Sequence, residues 1–253
     1  MREHDISVIE LAGHAGKIVL ENGGEIYRVE QTMHSICAAY GIASCECFAS
    51  PTVLIISASS NGEPVSKMMR ISNRGINLDV VSAVNAFSRS LPMPLIEAQQ
   101  TLYNIEAQPG YPIWVKSLAA SIGVAAFTVV FGGRLGDVLG GLFLGAMLRW
   151  FVYVLQKKHI GYFLVNLLGG AAAALGGWLF YILNISSNQW IVSVAAMMLL
   201  VPGLLFTNAL RDIAAGDLVS GGSRGMEVLS VAAALACGTA AINGLVSVIG
   251  GLL

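Results

Sequence analysis

Apolar residues in the first third of the chain recur in two rhythms. Ile6, Ile9, Leu11, Ala12, Ala15, Ile18, Val19 and Leu20 follow three- and four-residue spacing, with Glu10, Lys17 and Glu21 between them. That period predicts an amphipathic helix, ended by Asn22-Gly23-Gly24. A second helix is predicted from Glu25 to Tyr40, burying Ile26, Val29, Met33 and Ile36 and closed by Gly41. Residues 52–59 (TVLIISAS) are continuous and rich in β-branched side chains, which predicts a buried strand. Asn61-Gly62 predicts a hairpin turn, with Val65 to Ile71 as the returning strand. A further strand is expected around Cys45 to Phe48. Leu78 to Arg89 and Leu95 to Glu106 read as helices separated by Pro92 and Pro94. Residues 1–110 are thus expected to form a small α/β domain, one layer of helices on a short antiparallel sheet.

Beyond residue 110 the pattern changes to long apolar runs. Residues 113–131, 136–155, 162–183, 189–208 and 228–250 each approach the length of about 20 residues that a spanning helix needs. Trp114, Trp150, Tyr162 and the Trp178-Leu179-Phe180-Tyr181 run lie near segment ends, as in an interfacial aromatic belt. Small residues recur every four positions: Gly169, Ala173 and Gly177; Ala232, Ala236, Ala240 and Gly244; Gly136 and Gly140, with Gly141 and Gly145 offset. Such stripes predict close helix packing, and Asn166 and Asn243 are expected to bond neighbouring helices. The fold class read from this pattern is an α-helical polytopic membrane protein. Five transmembrane helices in residues 111–253 follow the small cytoplasmic α/β domain.

Charge sharpens that division. Only 11% of residues are charged, against roughly 25% in soluble domains. Eleven of the 15 acidic residues precede Lys116, whereas the 14 Lys and Arg divide evenly about that point. A net charge of −1 argues against a nucleic-acid binder. The acid-containing N-terminus shows no secretory signal pattern, so the first domain is expected in the cytosol. Lys157 and Lys158 in one connection, and Arg211 and Arg224 in another, mark cytoplasmic loops and place the C-terminus outside. Of the four cysteines, Cys45 and Cys47 suit one face of a strand but form only half a metal site. They read as reduced structural thiols, with no metal and no cofactor expected.

Polar groups gather where the fourth and fifth apolar runs meet. Pro202 and Gly203 would break the helical ladder, and Gly216 would stop a helix carrying Asn208, Arg211 and Asp212. Ionisable residues at such a place suggest function. One wall would offer the carboxylates of Asp212 and Asp217. The other would offer Arg224 and backbone N–H groups from Ser220 to Gly222, facing an anion. Transporters hold zwitterions or carboxylates in this way. The candidate substrate-binding set is therefore Asn208, Arg211, Asp212, Asp217, Ser220 and Arg224. A plain loop with charges reaching the headgroups is the simpler alternative. In the first domain, Glu25, Arg28, Glu30 and His34 offer acid–base groups, and Glu30 and His34 share a helix face. Pairs of this kind are common on surfaces, and this domain has no GxSxG, P-loop or HExxH motif.

PGLLFTNALRDIAAGDLVSGGSR, with GGEIYRVEQTM and RGINLDVV, resembles the bacterial threonine/serine exporter family. The chain is similar to the split form, whose first component also resembles part of a succinate exporter. The resemblance implies a cytoplasmic-membrane exporter of threonine and serine, not an enzyme, driven by the membrane potential or a proton gradient. The second membrane half found in the long form is missing here. The resemblance thus implies a separate small multi-span membrane protein as partner. Export of a dicarboxylate such as succinate, a membrane-anchored enzyme or sensor using residues 1–110, and a purely structural membrane subunit are the alternatives.

Overall fold

A computed structural model describes residues 2–42, 44–60, 63–72 and 75–250. The chain divides into two compact units, one of residues 1–110 with 204–225, the other of residues 111–203 with 226–253.

The first unit opens with α1 (Arg2–Glu21) and α2 (Ile26–Ala39). The strands β1 (Cys45–Ala49), β2 (Val53–Ser60) and β3 (Glu63–Arg70) follow, then α3 (Leu78–Arg89) and α4 (Leu95–Glu106). The sheet runs β1-β2-β3 and is antiparallel throughout. Leu54, Ile56 and Ala58 alternate onto one face of β2 and are buried under the helices. Helix α1 comes close to α2 and to β3 because small residues let it. A Cβ on Gly16 would lie 2.7 Å from the Met33 sulfur, and one on Gly13 would lie 2.6 Å from Met69 Cε. Ser60 pairs with Glu63 across the hairpin. The predicted turn at Asn61-Gly62, and Arg74 of the RGINLDVV segment, lie outside the described residues.

The second unit holds α5 (Ile113–Val130), α6 (Leu135–Lys157), α7 (Tyr162–Ile182), α8 (Gln189–Met197) and the part of α10 (Leu218–Gly250) from Met226 onward. Among the described residues four helices are long and apolar enough to cross a membrane: α5, α6, α7 and α10. The expected single span over 189–208 is instead two pieces. Helix α8 has nine residues, about 14 Å at 1.5 Å per residue. The chain then turns through Met198–Val201, where Leu200 N–H bonds Met197 O at 2.8 Å. Pro202 carries no N–H to continue the ladder, and α9 (Gly203–Ala214) begins directly after it.

Buried contacts in this unit follow the small residues, though not always the predicted stripes. Gly177 lets α8 lie against α7, where an added Cβ would stand 2.6 Å from Gln189 O. Helices α7 and α10 meet at Gly170 and Gly238, with backbone against backbone. The predicted stripe of Ala232, Ala236, Ala240 and Gly244 instead faces away from the rest of the chain. Asn166 is buried but bonds Tyr162 O in its own helix at 2.8 Å, not a neighbouring helix.

Sequence reasoning also passed over Asp137. Its carboxylate is fully buried near the start of α6 and accepts four hydrogen bonds. Ser186 Oγ and Ser187 N donate to Oδ1 at 2.6 and 2.7 Å. Ser187 Oγ and Arg134 N donate to Oδ2, both at 2.7 Å. The carboxylate thus caps α6 and ties it to the α7–α8 connection. Asp137→Ala should cost about 2–3 kcal/mol by leaving these donors unmet. Asp137→Asn should cost less, and a smaller fall in thermal midpoint of the detergent-solubilised protein would register the difference.

Candidate functional site

The polar stretch around residues 203–225 folds as a helix, a three-residue stop (215–217) and a second helix. Helix α9 ends where Gly216 takes φ +90°, and Asp217 N–H bonds Asp212 O at 2.9 Å. A left-handed φ suits glycine, as at a helix C-terminus of this type. The stretch from Ser220 to Gly222 is not a loop: helix α10 already begins at Leu218. Ser220 N–H therefore does not stand open to an anion. Asp217 Oδ1 accepts from it at 3.3 Å, as an N-terminal cap would. Gly221 lets the two helices touch, since a Cβ there would lie 2.9 Å from Ile213 N and 3.0 Å from Ala209 O.

Four of the six candidate substrate-binding residues are buried: Asn208 (5% exposed), Asp212 (3%), Ser220 (0%) and Arg224 (4%). Arg211 is exposed and Asp217 half-buried. The two expected walls close on one another. Arg224 Nη1 stands 3.0 Å from Asp212 Oδ2, while Arg224 Nη2 donates to Gly24 O at 3.0 Å. Asn208 Nδ2 donates to Gly23 O at 3.3 Å, and Ser220 Oγ donates to Ala49 O at 3.4 Å. Arg211 pairs with Glu25, which also pairs with Arg28. The side chains of α9 and α10 thus bind the Gly23 and Gly24 carbonyls of the α1–α2 turn and the Ala49 carbonyl at the end of β1. Sequence reasoning found the residues but not this partner. Gly23-Gly24 read only as a helix stop, although Gly23 has φ +92° and presents bare backbone.

Burial pushes the Asp212 carboxyl above its ordinary range; Arg224 opposes that shift, Asp217 adds to it and Arg211 also opposes it. Burial also raises Glu30, against the Ala49 N–H that it accepts at 3.0 Å. Pro202 and Gly203 lie at the break described above, where the chain passes from the second unit to the first. A separate polar groove of about 190 Å³ lies between α2 and α3, with Arg28, Gln31, Asn85 and Arg89 on its walls. None of the six candidate residues borders it.

The helices, the break and the charged joint now bear comparison with known proteins. Residues 10–246 match the family described as "Putative threonine/serine exporter". The chain is 24% identical over 226 residues to the "Probable succinate transporter subunit YjjP" of Escherichia coli (strain K12), covering 88% of each protein. It is 22% identical over 222 residues to the protein of the same name from Klebsiella aerogenes, covering 86% of each. No solved structure matches the chain. With all but a few residues at each end inside one family match, the chain belongs to the threonine/serine exporter family.

Proposed function

We propose that this chain is one subunit of a two-part secondary exporter that moves small carboxylates out across the bacterial cytoplasmic membrane. The short helix α8 carries the reading. Its Val192, Ser193, Ala195 and Ala196 are buried, and it packs on α5, α6 and α7. A helix of about 14 Å followed by irregular backbone cannot span a hydrocarbon layer of about 30 Å as a regular rod. Non-helical backbone at membrane depth is tolerated where it is enclosed by protein or lines a cavity, and broken helices are the usual substrate sites of transporters. With residues 183–203 as a broken fourth crossing, the chain crosses five times. The first unit then lies in the cytoplasm and the C-terminus outside.

The second subunit is a small membrane protein like the half that the longer family form contains. The outward stripe of Ala232, Ala236, Ala240 and Gly244 is a suitable seat for it, since small residues allow helix backbones to approach in lipid. The leading cargo is a short dicarboxylate, because the relatives of matching length carry a succinate name. Threonine and serine form the second reading, which rests on the family description. Asn208, Arg211, Asp212, Asp217, Ser220 and Arg224 act in this scheme as a charged joint beside the break. They hold the segment after Pro202 and shift it when the pathway opens.

Cells lacking their own exporters and carrying this chain with its partner should lose loaded succinate faster than cells with either protein alone. Faster loss of threonine, with succinate unmoved, selects the second reading. Equal retention of both defeats the exporter proposal. A reporter on the C-terminus in the same cells should read outside.

A further inference from the structure

We propose that the first unit carries a zinc site formed by His34, Cys45 and Cys47. One ligand atom from each of the three residues can be chosen so that all lie within 4.8 Å of one another. The sequence explains how two distant stretches converge. Cys45 and Cys47 are two apart on β1, so both side chains leave the same face of the strand. Glu30, His34 and Cys37 recur at four and three residues on α2, so they form one helical row. Helix α2 packs on β1, and the row meets the strand face.

The spacing suits a metal. The Sγ atoms of Cys45 and Cys47 stand 3.6 Å apart. Two sulfurs bound tetrahedrally to one zinc at about 2.3 Å are separated by about 3.8 Å. The pair therefore needs no backbone movement to share an ion. Two thiolates and an imidazole select Zn²⁺ over Mg²⁺ or Ca²⁺, which prefer oxygen ligands. His34 is exposed while Cys45 is buried, so an ion can enter from the His34 side. Cys37 is buried one turn further along the same helical row. Glu30 approaches from the same helical row, held by Ala49 N–H. Three protein ligands leave a fourth position for water or an added ligand. The sequence alone showed only Cys45 and Cys47; the helix supplies the third ligand.

The test uses the full chain, purified in detergent under reducing conditions, stripped with a chelator and titrated with Co²⁺ and then Zn²⁺. One Co²⁺ per chain should appear with thiolate-to-cobalt charge-transfer absorption, and Zn²⁺ should displace it. Cys45→Ser, Cys47→Ser and His34→Ala should each weaken binding by about 100-fold or more. His34→Cys should retain the ion with an altered cobalt spectrum, which a merely misfolded variant would not. Cys237→Ser, in the second unit, should bind as the parent does. Substoichiometric cobalt uptake overturns the site. So does unchanged affinity in the Cys45→Ser/Cys47→Ser double variant, or a Cys45–Cys47 disulfide in freshly isolated protein.

Discussion

Asp212→Asn should destabilise the joint by about 3–5 kcal/mol, because it takes from the buried Arg224 guanidinium the carboxylate that stands 3.0 Å away. An arginine cannot escape by losing its proton. Its remaining partners include Gly24 O, a neutral acceptor. Arg224→Met should behave differently. It leaves the Asp212 carboxylate, which can take up a proton and become neutral. The cost of that variant therefore shrinks toward acid, by up to about 1.4 kcal/mol for each pH unit between the variant's folded pKa and the parent's lower one. The double variant Asp212→Asn/Arg224→Met should recover much of either loss, since it buries no charge.

The parent protein should show the same chemistry in weaker form. Burial already raises Asp212 above its ordinary value of 3.8. The folded state then keeps its proton to higher pH than the unfolded chain does. Between the two pKa values the folded state binds more protons, so this group's contribution falls as pH rises through that interval and is level above it. Removing Arg224 takes away the main influence holding the folded value down, so the interval should extend further upward. Asp212→Asn should abolish this slope. Hydrogen exchange over residues 19–30 and 208–224, followed against pH, reads these differences directly. Parent-like protection in both single variants would mean that the pair contributes nothing to the joint.

Much of the first unit was legible because local signals agreed with the global fold. Leu78–Arg89 and Leu95–Glu106 stand where their periodicity and flanking prolines put them. Strand β2 follows its β-branched run. The break at Pro202 was legible as a residue but not in its extent. Hydropathy averages over α8 and the following turn, and Leu199, Leu200 and Val201 keep the window apolar although the helix has ended. The charged cluster was legible as a set of residues, not as a set of partners. Asp212 and Arg224 lie twelve positions apart, and nothing in their spacing says that Gly24 O, two hundred residues earlier, accepts from the arginine. The three ligands of the proposed zinc site are hidden for the same reason. Sequence distance conceals what the meeting of α2 and β1 brings together.

Gly238→Val should be the most damaging single change in the second unit. A Cβ at Gly238 would stand 2.9 Å from Ala171 N and 3.0 Å from the Leu167 carbonyl carbon, with the oxygen closer still. These are backbone atoms of α7, which no rotamer change can move aside. The opposing Gly170 has the same problem, since its Cβ would lie 2.7 Å from Leu235 O. Valine must therefore push the two helices apart and undo packing along the whole contact. In lipid that packing, with interhelical hydrogen bonds, is what holds helices together. Overpacking of this kind costs about 1–3 kcal/mol where side chains can adjust and more where they cannot. The variant should insert but lose thermal stability in detergent and export nothing. Gly244→Val is the contrasting change, because a Cβ there meets nothing within 4 Å in this chain. It should leave the chain's own stability unchanged. If the outward stripe seats the partner subunit, Gly244→Val should still abolish co-purification of the two proteins and with it export. Normal assembly in Gly244→Val would remove the stripe from the proposed interface, and parent-like stability in Gly238→Val would contradict the α7–α10 contact itself.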